Sequence, residues 1–340
     1  MKSNADIFDF FKKEIVFFIS LILAIFSCFF VKPSIEYLNY INWDTIILLF
    51  VIMVVVEVLK NLAIFEILVR KLLKRINNAR LLVLALVFIC FFSSIFITND
   101  VSLIIFVPFA ILALKKVNRT DLIILTVCLQ TIAANVGCMV LPIGAPHNIV
   151  LYTVSGIGFL SFLFLLMPYI AVSVIFMAVI IFFIKSEPVQ LPKINKIEVD
   201  KDNFIKRVFF GVDYYLLLTF IALFILIGNL ERISFFTMFF KSFILGNEVI
   251  CGIIASQFIS NVPAAMLLTG FSSNYEAIVI GINIGGFGTL IASMANLISY
   301  KLLVDECEEF KTKYLIVFTV LNLSLLFILF GVYLINKGIF

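Results

Sequence analysis

The stretch "NVGCMVLPIGAPHNIVLY", Asn135–Tyr152, puts Gly137, Pro142, Gly144 and Pro146 inside an apolar run. Proline removes a backbone donor and clashes with the preceding turn, so a continuous helix through this stretch is unfavourable. A second stretch, "NIGGFGTLIASMANLISY", Asn283–Tyr300, aligns with the first without a gap. Asn135 matches Asn283, Gly137 matches Gly285, Ile143 matches Ile291, Asn148 matches Asn296 and Tyr152 matches Tyr300. It too is interrupted, by Gly285, Gly286 and Gly288, with Gly281 just before them. Upstream, "FITN" at 96–99 matches "FISN" at 258–261, and further upstream Asp44 and Asp213 each open an apolar run. Three landmarks in the same order make an internal repeat.

Composition says where such a repeat folds. Of 340 residues, 63% are hydrophobic and only 14% charged, against roughly half and a quarter in a soluble globular chain. Apolar runs long enough to cross a bilayer recur, which makes this an all-α polytopic membrane protein. Spans are expected at 14–31, 44–59, 121–152, 157–185, 209–230, 275–303 and 312–336. Segments 80–117 and 247–272 read as hairpins that enter and leave on one side. The amphipathic pieces 60–79 and 231–246 read as lying at the membrane interface. The first span has no small-residue cleavage pattern and is read as retained. With the N-terminus in the cytoplasm, this layout puts 21 Lys/Arg inside and 4 outside, a strong positive-inside bias. Cytoplasmic-membrane, multi-pass placement follows. The six cysteines are scattered without a CxxC and read as small hydrophobes.

The one long polar stretch, 186–208, divides the chain and reads as a cytoplasmic linker. The N-terminal repeat is then 1–185, with hairpin 80–117 and broken helix 121–152. The C-terminal repeat is 209–340, with hairpin 247–272 and broken helix 275–303. Three crossings separate the Asp44 and Asp213 helices, an odd number, so the second unit is upside down relative to the first. Inverted-topology repeats of this kind are a plan of secondary transporters.

Irregular backbone at membrane depth must be buried in protein or line a wet cavity. A broken span exposes half-helix N-termini, which favour anions, and freed carbonyls, which favour cations. The candidate substrate- and ion-binding residues therefore sit at the breaks and beside them. At the first hairpin tip they are Thr98, Asn99 and Asp100, and at the second Ser260 and Asn261. From the breaks come Asn135, Gly137, Gly144, His147 and Asn148, with Asn283, Gly285, Gly288, Thr289, Ser293 and Asn296. Asp100 costs about 2.5–3.5 kcal/mol at mid-membrane on insertion scales, tolerable in a partnered, wet cavity. Helix capping is the plain alternative for Asp100, Asn99 and Asn261. Asp44 and Asp213, at span ends, read as solvated caps; Glu57, inside an apolar run, is less explained. Glycines 285, 286 and 288 also fit close helix packing, and a lone His147 fits a structural role.

The segments "ITNDVSLIIFVPF" (97–109), "LQTIAANVGCMVLPIGAPHNIVLY" (129–152), "VDYYLLLTFIALFILIGN" (212–229), "SQFISNVPAAMLLTGF" (256–271) and "GINIGGFGTLIASMANLISYKLL" (281–303) resemble bacterial citrate-transporter-like permeases. These belong to the ion transporter superfamily, with arsenite permeases, NhaD-type sodium/proton antiporters and divalent-anion:sodium symporters. The resemblance implies two inverted repeats, each with a re-entrant hairpin and a broken helix, and an elevator-like movement of the binding domain. It also implies that Na⁺ and a substrate carboxylate meet at the tips, where the symporters carry Ser-Asn-Thr. Here the third position is Asp100 at one tip and Val262 at the other, and a polar linker stands where relatives often carry extra spans.

The expected function is secondary transport of a small anion, a di- or tricarboxylate or an inorganic oxyanion, coupled to Na⁺ or H⁺. The alternatives are a Na⁺/H⁺ antiporter using Asp100 and an arsenite-type efflux permease. Na⁺ is expected at Asn99, Asp100 and Asn261, with no other cofactor. The partners are the anion, the lipid bilayer and a second copy in a homodimer, with no nucleic acid. No G-x-x-x-x-G-K-[ST] occurs, so the chain supplies no ATPase of that kind. A single histidine and the lack of HExxH argue against an intramembrane protease.

Overall fold

Both hairpins turn at a polar tip inside an apolar run, at Thr98-Asn99 and at Ser260-Asn261. The computed structural model describes residues 15–62, 76–189 and 203–339. The interface segment 60–79 and the linker 186–208 fall largely outside the described residues, as do residues 1–14. Fifteen helices carry the described fold: α1 (Ile15–Ser27), α2 (Trp43–Asn61), α3 (Ala79–Phe96), α4 (Asn99–Lys116), α5 (Ile123–Gly137), α6 (Pro146–Ser155), α7 (Phe159–Phe182), α8 (Phe204–Gly211), α9 (Tyr214–Arg232), α10 (Ser234–Ile244), α11 (Glu248–Ile259), α12 (Asn261–Phe271), α13 (Tyr275–Gly285), α14 (Met294–Glu306) and α15 (Lys311–Ile339). A single turn at Tyr37–Tyr40 and four short 3₁₀ turns complete them. Among the described residues there is no strand, only a bridge between Asn78 and Pro188. Five helical stretches there are long and apolar enough to cross a membrane, or six if a bent pair counts as one span. The protein is an all-α polytopic membrane protein.

Both interrupted stretches break. α5 ends at Gly137 and α6 begins at Pro146, where proline at the first helical position loses no helical bond. α13 ends at Gly285 and α14 begins at Met294. The hairpins differ in reach. The arms α3 and α4 hold 18 residues each, about 27 Å at 1.5 Å per residue, whereas α11 and α12 hold 12 and 11. α10 meets α11 at a bend of 112° and presents Phe235, Met238, Phe239 and Phe243 outward.

Of two capping expectations at the helix starts, one changes and one holds. Asp44 is not a cap: Asn42 takes the cap of α2, its side chain accepting from the Thr45 N–H at 2.9 Å, and Asp44 lies exposed in the first turn. Asp213 does cap α9, accepting from the Leu216 N–H at 2.9 Å. The helix α8 crosses from the expected linker into the expected span at 209–230 and is separated from α9 by extended Val212 and the capping Asp213. Glu57 is explained by its neighbours: Lys60 reaches it at 3.0 Å, and Gly211 lies so close to its carboxylate that a Cβ there would overlap it. All six cysteines are free, four of them buried.

Packing divides the helices into a frame and a core. α1 lies along α9, and α2 along α8. The Asn229 amide donates to Ser27 Oγ (2.8 Å) and Tyr37 Oη (3.0 Å), and Arg232 pairs with Glu36 at 2.7 Å. The hairpins and broken helices form the other body with α7 and α15. Each hairpin packs its first arm on the first half of its own broken helix, α3 on α5 and α11 on α13. Its second arm packs on the second half of the other broken helix, α4 on α14 and α12 on α6. A separate apolar seam joins frame to core: Leu49 of α2 and Leu217, Phe220, Leu223 and Ile227 of α9 meet Ile149, Val150, Val262 and Met266.

Candidate functional site

Four asparagines meet where the breaks face each other, each at most 4% exposed. Asn135 Nδ2 donates to Asn296 Oδ1 at 2.8 Å. Asn283 Nδ2 donates to Asn148 Oδ1 at 2.8 Å, and Asn148 Nδ2 returns to Asn283 Oδ1 at 3.2 Å. Under the sequence register the first pair maps onto the second. The backbone follows the same rule: Asn148 Nδ2 donates to the Cys138 carbonyl (2.9 Å), and Asn296 Nδ2 to its register partner, the Gly286 carbonyl (3.0 Å). Buried amides need partners, and these supply one another's across the two breaks.

The glycines make that approach feasible. A Cβ on Gly137 would overlap the Phe91 carbonyl oxygen, and one on Gly285 would meet Ser256 Oγ at 2.7 Å. Ser94, the register partner of Ser256, lies 3.1 Å from the same place beside Gly137. A Cβ on Gly144 would meet Cys138 Cα at 2.6 Å. Of the glycines at the two breaks, Gly288 is the one whose backbone needs glycine, with φ at +114°.

The tips are less alike than the breaks. At the first, Asn99 Nδ2 donates to Asn135 Oδ1 at 3.0 Å, and Asn99 Oδ1 accepts the Asp100 N–H at 3.0 Å. The helix-cap reading of Asp100 fails: α4 begins at Asn99, Thr98 holds the N-cap position without a side-chain bond, and Asp100 Oδ1 is buried with no hydrogen-bond partner. Asp213 and Cys138 are its titratable neighbours. Asn99 and Asn261 do not cap either; each is the first residue of its helix. At the second tip Ser260 carries φ +69°, ψ 157°, a strained region for a residue with a side chain. Ser260 Oγ reaches Asn261 Oδ1 at 3.4 Å. Ser293 Oγ reaches Asn135 Oδ1 at 3.4 Å, joining the cluster. His147 is buried beside Asn283. Thr289 stands apart: its side chain is exposed and turns to the Gln257 carbonyl at 3.3 Å.

Two glutamines were missed. Gln130 Nε2 donates to the Leu86 and Phe106 carbonyls, at 3.0 and 3.2 Å, tying α5 to both arms of the first hairpin. Gln257 binds the second break. The available signal was an amide inside an apolar run, the same signal that singled out Asn99. A cavity of about 830 Å³ opens elsewhere, at the base of the first hairpin between Arg119, Leu125, Ile180 and Phe183, and touches none of these residues.

Residues 7–277 match the family model described as citrate transporter, most of the chain. The chain belongs to the citrate transporter family. Family membership makes it a membrane transporter, and transporters as a class are not enzymes. This citrate-transporter-family chain is 33% identical to an uncharacterized transporter of Methanocaldococcus jannaschii, over 84% of its own length and 88% of the relative's. It is 28% identical to the inner membrane protein YbiR of Escherichia coli, over 78% and 81%. A transporter named arsB from Dictyostelium discoideum matches at 30% over 36% of this chain and 22% of the relative. The family match ends before Asn283 and Asn296, which the internal register and the hydrogen bonds above place with their partners.

Proposed function

We propose that this protein is a secondary active transporter that moves a small anion across the cytoplasmic membrane, coupled to Na⁺ or H⁺. The anion is a di- or tricarboxylate or an inorganic oxyanion. The two repeats lie in inverted topology with the N-terminus in the cytoplasm, and the core shifts against the frame for alternating access. The observation that carries coupling is Asp100, a carboxylate with a buried, unpartnered oxygen beside an amide cluster and a broken helix. An unpaired carboxylate in a membrane core is costly and calls for a cation or a proton. Family membership and the freed half-helix ends support the anion.

The same residue favours the second reading, a cation/proton antiporter in which Na⁺ and H⁺ compete for Asp100. The sign is fixed by chemistry: only the deprotonated carboxylate binds Na⁺, so acid weakens cation binding. Proteoliposome uptake under imposed Na⁺ and pH gradients tests both. Anion accumulation driven by either gradient supports the symporter. Na⁺ flux driven by a pH gradient without anion supports the antiporter.

A further inference from the structure

Gln257 lies one turn before the second tip, and its side chain closes the second break. Its Nε2 faces three carbonyl oxygens, those of Ile253 (3.2 Å), Gly285 (2.8 Å) and Phe287 (3.0 Å). Its Oε1 accepts the Thr289 N–H at 2.9 Å. Asn296 takes the Gly286 and Thr289 carbonyls at 3.0 and 3.1 Å. Three carbonyls freed by the second break, at 285, 286 and 287, are thus answered by side-chain amides, while the Thr289 carbonyl also accepts the Ala292 N–H at 3.2 Å. Of the three oxygens facing Gln257 Nε2, those of Gly285 and Phe287 come from the break, and Ile253 adds one from the helix of Gln257 itself; unwound carbonyls of this kind are what broken membrane helices offer to cations. The close approach is built in, because a Cβ on Gly288 would overlap Gln257 Oε1.

The first repeat lacks this device. The register puts Ile95 where Gln257 stands, and hydrocarbon donates nothing. Asn148 takes the Cys138 carbonyl, as Asn296 takes Gly286, and the Val140 N–H turns to the Gly137 carbonyl at 3.1 Å. Among the described residues no side-chain amide reaches the carbonyl of Gly137 or Met139. What the first repeat has instead is Asp100; its register partner, Val262, is packed into the apolar seam.

We propose that the Gln257 amide occupies, in the second repeat, the place a coupling cation would take, so that the protein binds one coupling cation, at Asp100, rather than one in each repeat. This rests on the cation-coupled reading above and departs from it at Asn261, which then holds no cation.

The test uses the full chain, Na⁺ as probe and choline as the ionic-strength control. Ligands that bind the folded state raise its melting temperature. The wild type should show a single-site Na⁺-dependent rise that Asp100→Asn abolishes. Gln257→Glu keeps the size but replaces the donor with a carboxylate facing three carbonyls, which needs a cation to be tolerated. The double variant Asp100→Asn/Gln257→Glu should therefore regain a Na⁺ response. A folded double variant with no Na⁺ response overturns the role of Gln257. Equilibrium binding of radiolabelled Na⁺ to the wild type counts sites without any variant: one per chain is expected, and two overturns the proposal. A wild type that binds none removes Na⁺ from Asp100, the reading underneath, while a Na⁺-responsive double variant would still uphold Gln257 as the stand-in.

Discussion

At Asn135 and Asn283 one amide does the work of two, because each serves a partner in the other repeat. Truncating either leaves a buried amide unanswered, which costs about 1–3 kcal/mol. Asn135→Ala and Asn283→Ala should therefore each lower the melting temperature in detergent, to similar extents, whereas Thr289→Ala, at an exposed side chain, should change it little. Asp100→Asn tests the coupling site. Asn keeps the size of Asp and Asp100 caps no helix, so the variant should insert and fold, but it cannot ionise. It should lose Na⁺- or pH-dependent transport in proteoliposomes; wild-type rates with unchanged ion dependence would move the coupling site elsewhere. The sequence made these residues visible because polar side chains in an apolar run are expensive. It did not make the pairings visible. Asn135 reaches a residue 161 positions away, and only the folded breaks bring the two together.

Helices are where the sequence was most legible. Hydrophobic length alone placed most helices within a few residues, and the proline and glycine content placed both breaks. Local polar choices were harder: α2 starts on Asn42 rather than Asp44, since either residue can cap and the neighbouring turn decides. The strained Ser260 left no mark in the sequence, because "FISN" and "FITN" read alike while their backbones differ. The sequence marked Gln257 only as an amide in an apolar run; its partners, backbone carbonyls of its own helix and of the break near Gly285, are encoded by no side-chain pattern. Orientation is testable at this scale. Lys116 and Glu276 both lie exposed, at the end of α4 and the start of α13. The charge bias puts them on opposite sides. Cysteines introduced there should react with an impermeant thiol reagent from opposite faces of the cell membrane, Glu276→Cys from outside. Reaction of both from one face would refute the inverted arrangement.

Across the whole molecule the decisive feature is that two bodies touch through a mainly apolar seam. Apolar contacts carry no directional bonds, so one packed arrangement can give way to another with less to break than across a hydrogen-bonded seam. Among the described residues the frame and core share a polar tie at their edge: Thr45 Oγ of α2 lies 2.5 Å from Thr153 Oγ of α6. Hydroxyls at that separation put the two Cβ atoms within reach of disulfide geometry, which needs about 3.5–4.5 Å. In Thr45→Cys/Thr153→Cys, oxidation should join frame to core in the arrangement seen here. If transport requires the core to move past α2, the oxidised protein should bind substrate or Na⁺ but not complete a cycle, and a reductant should restore uptake. Each single cysteine variant should transport with or without oxidant, which controls for damage from the substitution itself. A cross-linked protein, verified on a gel, that still transports at the reduced rate would mean that α6 stays fixed to α2. Access would then have to alternate by local opening of the hairpins, with the frame and core remaining one body.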